Sequence, residues 1–184
     1  MPNATYVTAG KPKIGGAVYR GALGTALPTD ATTALNAAFA DLGYVSDDGV
    51  TNSNSIESDD VKAWGGDTVL SLQTDKTDTF QFTLIEAMNI DVLKAVFGDS
   101  NVSGTLATGL TINVNATEQV EASWVIEMVY KGQDAKKRVV IPQGKITEIG
   151  DVVYSDSEAV GYEVTITAVP DANGNTHYEY LKTA

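Results

Sequence analysis

Between Ala122 and Tyr130 the side chains alternate. Ala122, Trp124, Ile126, Met128 and Tyr130 fall on one face of an extended chain, and Ser123, Val125, Glu127 and Val129 fall on the other. The same period of two returns in Glu163–Val169, where Val164, Ile166 and Ala168 alternate with Glu163, Thr165 and Thr167. It returns again with Leu110, Ile112 and Val114, and with Phe80, Phe82 and Leu84. A helix winds such a pattern around its whole circumference and cannot bury it, whereas a strand presents it to a core. The chain is therefore read as half-buried strands, with Gly16–Arg20, Thr68–Gln73, Lys137–Ile141, Asp151–Tyr154 and Thr176–Leu181 as further candidates. Asn173-Gly174 supplies the positive φ angles of a tight turn, so Glu163–Val169 and Thr176–Leu181 are expected to pair antiparallel. The Asp171-x-Asn173-x-Asn175 spacing lacks the downstream Glu of a calcium loop, so a turn is the reading kept.

One helix is expected over residues 89–97. Asn89 is a good N-cap, Asp91 lies in the first turn, Ile90, Leu93 and Phe97 share a face, and Gly98 follows. Thr32–Leu42 is a weaker candidate that reads equally as an ordered loop with a single turn. With 184 residues and 43% hydrophobic composition, residues 1–184 are expected to form one domain with a real core. The fold class that follows is mainly β: an antiparallel β-sandwich or partly closed barrel with one short flanking α-helix. Two stretches lack periodicity, an N-terminal arm (1–15) and a long acidic loop (46–66).

Charge is unevenly placed along a chain of net charge −12. Residues 1–40 carry Lys11, Lys13 and Arg20 against Asp30 alone, whereas residues 41–80 carry nine acids against Lys62 and Lys76. The bland reading is a solvated acidic face. The sharper one is self-association, the basic segment of one copy meeting the acidic loop of another. Duplex DNA is bound by neutralising phosphates with Lys and Arg, so an acidic chain is a poor DNA binder. The N-terminus has no apolar stretch of signal-peptide length, and no run reaches the roughly 20 residues of a membrane helix. Use without secretion or a membrane anchor is expected.

Chemistry is sparse. There is no cysteine and one histidine, His177, which reads as a surface side chain in a strand. A multi-histidine zinc site and a thiol nucleophile are impossible. Asp47/Asp48 and Asp59/Asp60 read as solvated loop carboxylates. Gly15-Gly16, Gly21-x-x-Gly24 and Gly65-Gly66 lack the context of a nucleotide site and read as turns. Trp124 reads as core, and Lys136-Lys137-Arg138 is too short for a nucleic-acid patch. No enzyme activity, cofactor or metal is expected.

From Gly16 to Gly98 the wording is more specific. The phrases Leu27-Pro28-Thr29-Asp30, Leu42-Gly43-Tyr44-Val45 and Lys62-Ala63-Trp64-Gly65-Gly66, the polar acidic run from Asp47, and the strand-then-helix unit FQFTLIEAMNIDVLKAVFG resemble the major tail tube proteins of long-tailed, siphovirus-type bacteriophages, of the kind common in phages of Gram-positive hosts. From Ser100 onward the match is in pattern rather than wording. The resemblance implies a structural virion protein, assembled in the host cytoplasm and residing in the tail. Six copies would close a ring, with one sheet from each joining a continuous inner barrel. Rings would stack around a tape-measure protein, between tail-tip and tail-terminator proteins, and DNA would cross the lumen without specific binding. Within that picture Lys11, Lys13 and Arg20 are expected to meet Asp47, Asp48, Glu57, Asp59 and Asp60 between subunits. Ser71, Gln73, Gln81 and Thr83 are candidates for the lumen. Two other readings stand beside it. One is a carbohydrate-binding β-sandwich with Tyr178 and Tyr180 as a platform, and the other is a glycosidase built on paired acids such as Asp59/Asp60.

Overall fold

A computed structural model describes residues 2–132 and 134–183. In chain order the elements are β1 (Gly10–Pro12), β2 (Val18–Ala22), β3 (Ala40–Asp41), β4 (Val45–Lys62), β5 (Thr68–Leu84), α1 (Ile90–Phe97), β6 (Val102–Thr105), β7 (Gly109–Ile112), β8 (Ala122–Tyr130), β9 (Ala135–Ile149), β10 (Tyr162–Ala168) and β11 (Tyr178–Lys182). The architecture is mainly β, with antiparallel pairing throughout and one flanking helix. It is consistent with a β-sandwich, and no barrel closes.

The main sheet runs β3-β2-β8-β9-β10-β5-β4, with β1 also on β8 and β11 also on β9. Strand β9 belongs to two halves. Its first part, Ala135–Ile141, lies between β8 and β11, and its second part, Gly144–Ile149, pairs with β10. The change falls at Pro142, which has no N–H to give a ladder and sits where the β8–β9 register shifts. The corner is held by two bonds: Ser123 Oγ donates to the Pro142 carbonyl (2.7 Å), and Trp124 Nε1 donates to the Gly144 carbonyl (3.1 Å). A Cβ on Gly144 would lie 2.8 Å from Ile166 and 3.2 Å from Trp124, so glycine is what lets the two halves approach.

Both halves face one core. Val18, Trp124, Ile126, Val139 and Ile141 come from one half, and Phe80, Phe82, Leu84, Ile146, Val164 and Ile166 from the other. Helix α1 adds Val92, Leu93, Ala95 and Val96. Each large side chain buried this way stabilises the fold by about 1.5–3 kcal/mol. The helix starts and stops as its sequence requires: the Asn89 side chain accepts from the Asp91 N–H (3.0 Å), and Gly98, at φ 96°, donates its N–H to the Lys94 carbonyl (2.9 Å).

Several expectations are corrected. Residues 46–66 are no loop: Val45–Lys62 is one strand of a long hairpin with Thr68–Leu84, which also unites the two separate strands expected at Thr68–Gln73 and Phe80–Leu84. The Ser/Asn/Asp wording hid it, because both faces of this strand are wet and no apolar period marks it. The 1–15 arm is partly ordered, with a 3-10 turn at Ala4–Tyr6 and β1 on β8. Asp151–Tyr154 forms no strand. Glu163–Val169 and Thr176–Leu181 do not pair. Strand β10 ends opposite Gly144 and β11 begins opposite Val140, so they lie end to end along the same flank of β9. The turn between them is real, with Asp171 accepting from the N–H groups of Asn173 (2.8 Å) and Asn175 (3.0 Å) and Gly174 at φ 79°. It joins strands in line instead of reversing them. Thr32–Leu42 forms no helix: it is an ordered loop that runs into β3.

Candidate functional site

Two features stand out from this fold. The first is the half-sheet β4-β5-β10-β9, whose core-distant face is polar. Register aligns Thr51, Gln81, Thr165 and Glu148 in one cross-strand row and Ser53, Thr79, Thr167 and Lys145 in the next, with Thr83 and Glu163 opposite each other beside them. Gln81 bonds Glu163, and Thr147 and Thr167 bond through their hydroxyls (2.8 Å). Lys145 is tied to Glu118. Among the described residues both margins of this half-sheet are open: β4 pairs only with β5, and Lys145–Ile149 of β9 pairs only with β10. A row of unpaired N–H and C=O groups templates another chain.

The second feature is the hairpin arm. Every residue from Thr51 to Thr77 is exposed, and the ladder beyond the sheet carries the tip about 30 Å outward. A bulge between Glu57 and Ser58 shifts the register. Beyond it Val61, Leu70, Leu72 and Asp59 share one face, and Ser58, Asp60, Ser71 and Gln73 share the other. Trp64 at the tip is fully exposed, and Ile56, Val61, Leu70 and Leu72 are each about half-exposed or more. A two-stranded ribbon is marginal in water on its own, and this one also presents apolar side chains to solvent, which marks an interaction surface.

The arm is fastened at its root. Asp78, fully buried, accepts from Asn52 Nδ2 (2.8 Å) and Thr176 Oγ1 (2.6 Å) and lies 2.5 Å from His177 Nδ1. Burial raises the Asp78 carboxyl, but the bonds from Thr176, His177 and Asn52 outweigh it and hold the group below its ordinary value. His177, expected at the surface, is thus mostly buried, edge-on to Phe80 at 5.2 Å. Sequence proximity gave no hint of this pairing, because the two residues are 99 positions apart.

On the outer face of β8, β9 and β11, two rows follow one another. Val125, Val140 and Tyr178 form an apolar row under Phe39 and Leu35. Glu127, Arg138 and Tyr180 form the next. The Arg138 guanidinium is buried and donates to Glu127 Oε1 (2.8 Å from Nε), the Asp30 carbonyl (2.6 Å) and the Thr33 carbonyl (2.8 Å). It thereby pins the irregular segment between β2 and β3 onto the sheet. Asp30 in turn accepts from the N–H groups of Thr32 and Thr33 (2.6 Å each), and its bonds to Thr33, then Thr32, hold its carboxyl well below the usual range. Tyr19 is pushed up to about 12 by burial, with the carboxylates of Asp41 and Glu127 adding to it.

The residues expected to join subunits are therefore not equivalent. Lys13 pairs with Glu127 and Arg20 grips Asp99 through two bonds of 2.9 Å, both inside the chain. Lys11 forms no ion pair among the described residues. Asp47 and Asp48 lie in the bulge at the start of β4 and share a groove with Lys11, Pro12 and Met128. Glu57, Asp59 and Asp60 lie out on the arm. Of the lumen candidates, Gln81 and Thr83 are on the polar half-sheet, whereas Ser71 and Gln73 are on the polar side of the arm. Tyr178 and Tyr180 stack at 6.4 Å but are half-buried against the Phe39 cluster, and Tyr178 is engaged by Asp171 (2.7 Å) and Asn175 (3.0 Å), so no open aromatic platform results.

Among the described residues no group of three His, Asp or Glu side chains is placed to hold a metal, and no helix is long and apolar enough to cross a membrane. Free sheet margins, a wet polar sheet face and a projecting arm belong to a building block. The family model for phage tail tube proteins matches residues 3–184, and the chain belongs to that family. No curated protein matches it. It is accordingly a structural protein of the bacteriophage tail.

Proposed function

We propose that six copies of this chain close into a ring through their half-sheets, and that rings stack into a tube through which DNA leaves the virion. The observation that carries this reading is the four-stranded unit β4-β5-β10-β9 with two unpaired margins. Setting β4 of one copy beside the second part of β9 of the next removes both edges at once. Six such units make a 24-stranded barrel, about 45–52 Å across at a strand spacing of about 4.8 Å and the usual tilt of about 35–45°. Barrels of 16 to 18 strands already leave an aqueous channel.

The polar rows containing Gln81 and Thr83 then line the lumen, with Glu148 and Glu163 as fixed negative charge and Lys145 neutralised by Glu118. Such a wall repels phosphates and offers no cation for counterion release, so DNA passes without sticking. Ser71 and Gln73 do not extend that lining, because the bulge between Glu57 and Ser58 turns them to the other face of the arm and puts Asp59, Val61, Leu70 and Leu72 in line with Gln81 and Thr83. Lys11 with the acids at Asp47 and Asp48, and the arm acids Glu57, Asp59 and Asp60, would serve contacts between subunits and rings. The tape-measure, tail-tip and tail-terminator proteins are the expected partners, and assembly would occur in the host cytoplasm.

Hydrogen exchange of dispersed and assembled protein tests the edge pairing. The outward amides of β4 and of residues 145–149 should become protected on assembly. Continued rapid exchange at both margins in assembled tubes would contradict it.

A further inference from the structure

Sheet register places Lys11, Val129, Lys136 and Lys182 in one row across β1, β8, β9 and β11, on the face that carries Arg138 one row inward. Lys11, Lys136 and Lys182 are all exposed, and none forms an ion pair with another described residue. Lys136 stands directly opposite Lys182. Two like charges facing each other across a ladder destabilise it. A mismatch of the other sign sits on the arm, where Glu57 stands directly opposite Asp75, with Asp59 two residues nearer the tip. Both Glu57 and Asp75 are exposed and, among the described residues, without an ion pair; the Asp75 side chain accepts from the Lys76 N–H and the Thr77 hydroxyl beside it.

We propose that the lysine row is the docking surface for the hairpin arm of a second copy of this chain, with Lys136 and Lys182 taking Glu57 and Asp75. This rests on the tail tube reading and names a surface for it. The match is one of sign and of spacing. Within each like-charged pair the Cβ atoms are about 4.5–5.5 Å apart, so the two pairs can interleave into four opposite-charge contacts. Lys11, two strands from Lys136 and so about 10 Å away, falls toward Asp59, about 7 Å along the arm from Glu57. Each surface carries a repulsion in the free subunit that the other removes, so neither is favourable until a neighbour arrives. Engagement in trans follows from the arm itself, whose residues from Ser55 to Thr77 are exposed and ladder only with one another among the described residues. Lys13 and Arg20, the cations nearest Lys11 in sequence, are spent on Glu127 and Asp99 and do not take part.

The test is charge exchange in the full chain. K136E/K182E and E57K/D75K each change only exposed side chains, so circular dichroism and the thermal midpoint should match the parent. Each should lower the yield of tubes seen by electron microscopy at least tenfold, the equivalent of about 1.4 kcal/mol for the four contacts together. The variant carrying all four changes should regain tubes, because the signs again oppose. The proposal is overturned by tubes from both double variants at parental yield, or by a fourfold variant no better than either. Those results leave the tail tube reading intact, provided the parent chain forms tubes in the same experiment. A parent that forms none, even with its tail-tip and tape-measure partners, overturns both. As a second readout, E57C/K182C in this cysteine-free chain should give a ladder of disulfide-linked multimers on oxidation. An intramolecular bridge alone, or no bridge, would overturn the proposal independently of tube yield.

Discussion

Replacing Arg138 with Met keeps most of the apolar stem and removes the guanidinium. Three losses follow. Glu127, itself buried, loses its principal partner, and the carbonyls of Asp30 and Thr33 lose their donors. Breaking a buried pair by deleting one member costs about 3–5 kcal/mol, because the remaining charge is left without compensation. Lys13 still faces Glu127, but its side chain is 47% exposed, so it offsets only part of this. The lower end, about 3 kcal/mol, is the expected cost. For a domain of this size each kcal/mol moves the midpoint by about 2–4 °C, which gives a fall of about 6–12 °C. Lys13→Met removes the exposed arm of the same cluster and should cost no more than about 1 kcal/mol. Thermal unfolding followed by circular dichroism compares the two. Hydrogen exchange should show the segment between β2 and β3 released in Arg138→Met and retained in Lys13→Met. Equal midpoints for the two variants, or an Arg138→Met midpoint at the parental value, would refute the claim that the guanidinium pins that segment.

Other perturbations read other parts of the account. The Asp78 carboxyl is held below its ordinary 3.8, so the stability it lends is complete above that value and is lost as pH falls through the lower, folded-state value. Asp78→Asn should therefore flatten the acid limb of the stability–pH curve and, at neutral pH, cost about 1–3 kcal/mol through the weakened bonds to Thr176 and His177; an unchanged acid limb would count against it. Gly144→Ala should lower stability by about 1–3 kcal/mol in urea unfolding, because the added methyl meets Ile166 and Trp124 at the corner. Trp64→Ser should leave unfolding within about 0.5 kcal/mol of the parent, since the side chain touches nothing in the free subunit, while lowering the yield of tubes.

The strands most legible in the sequence have one wet and one dry face. Phe80–Leu84 and Tyr162–Ala168 show their period because Phe82 and Val164 point to the core and Gln81 and Thr165 do not, whereas Ala122–Tyr130 shows a period although Val125 and Glu127 on its second face are buried too. The helix over Ile90–Phe97 was legible from Asn89 and Gly98. The arm was not, because a ribbon wet on both faces carries no apolar alternation and reads as a loop. Its strand character comes from the ladder between Val45–Lys62 and Thr68–Leu84, a pairing that the wording of either strand alone does not announce. The Asn173-Gly174 turn is legible, but its consequence is not, since a turn signal does not say whether the next strand returns beside the last or continues beyond it.

The candidate surfaces were legible to a similar, partial degree. The acidity of the arm and the basicity around Lys11 are plain in the sequence. That Lys13 and Arg20 are consumed by Glu127 and Asp99 depends on contacts more than 75 positions apart, as does the gathering of Lys11, Lys136 and Lys182 into one row. Charge runs along a chain show which segments attract; only the sheet register shows which of their members are still free.

Electron microscopy of the purified chain at high concentration, in low and high salt and with a cognate tape-measure and tail-tip complex, tests the central claim most directly. Six-membered rings stacked into hollow tubes, more abundant in low salt because the exposed ion pairs between copies are screened in high salt, are the predicted result. Dispersed monomers under every condition, with the tail-tip complex present, would contradict it.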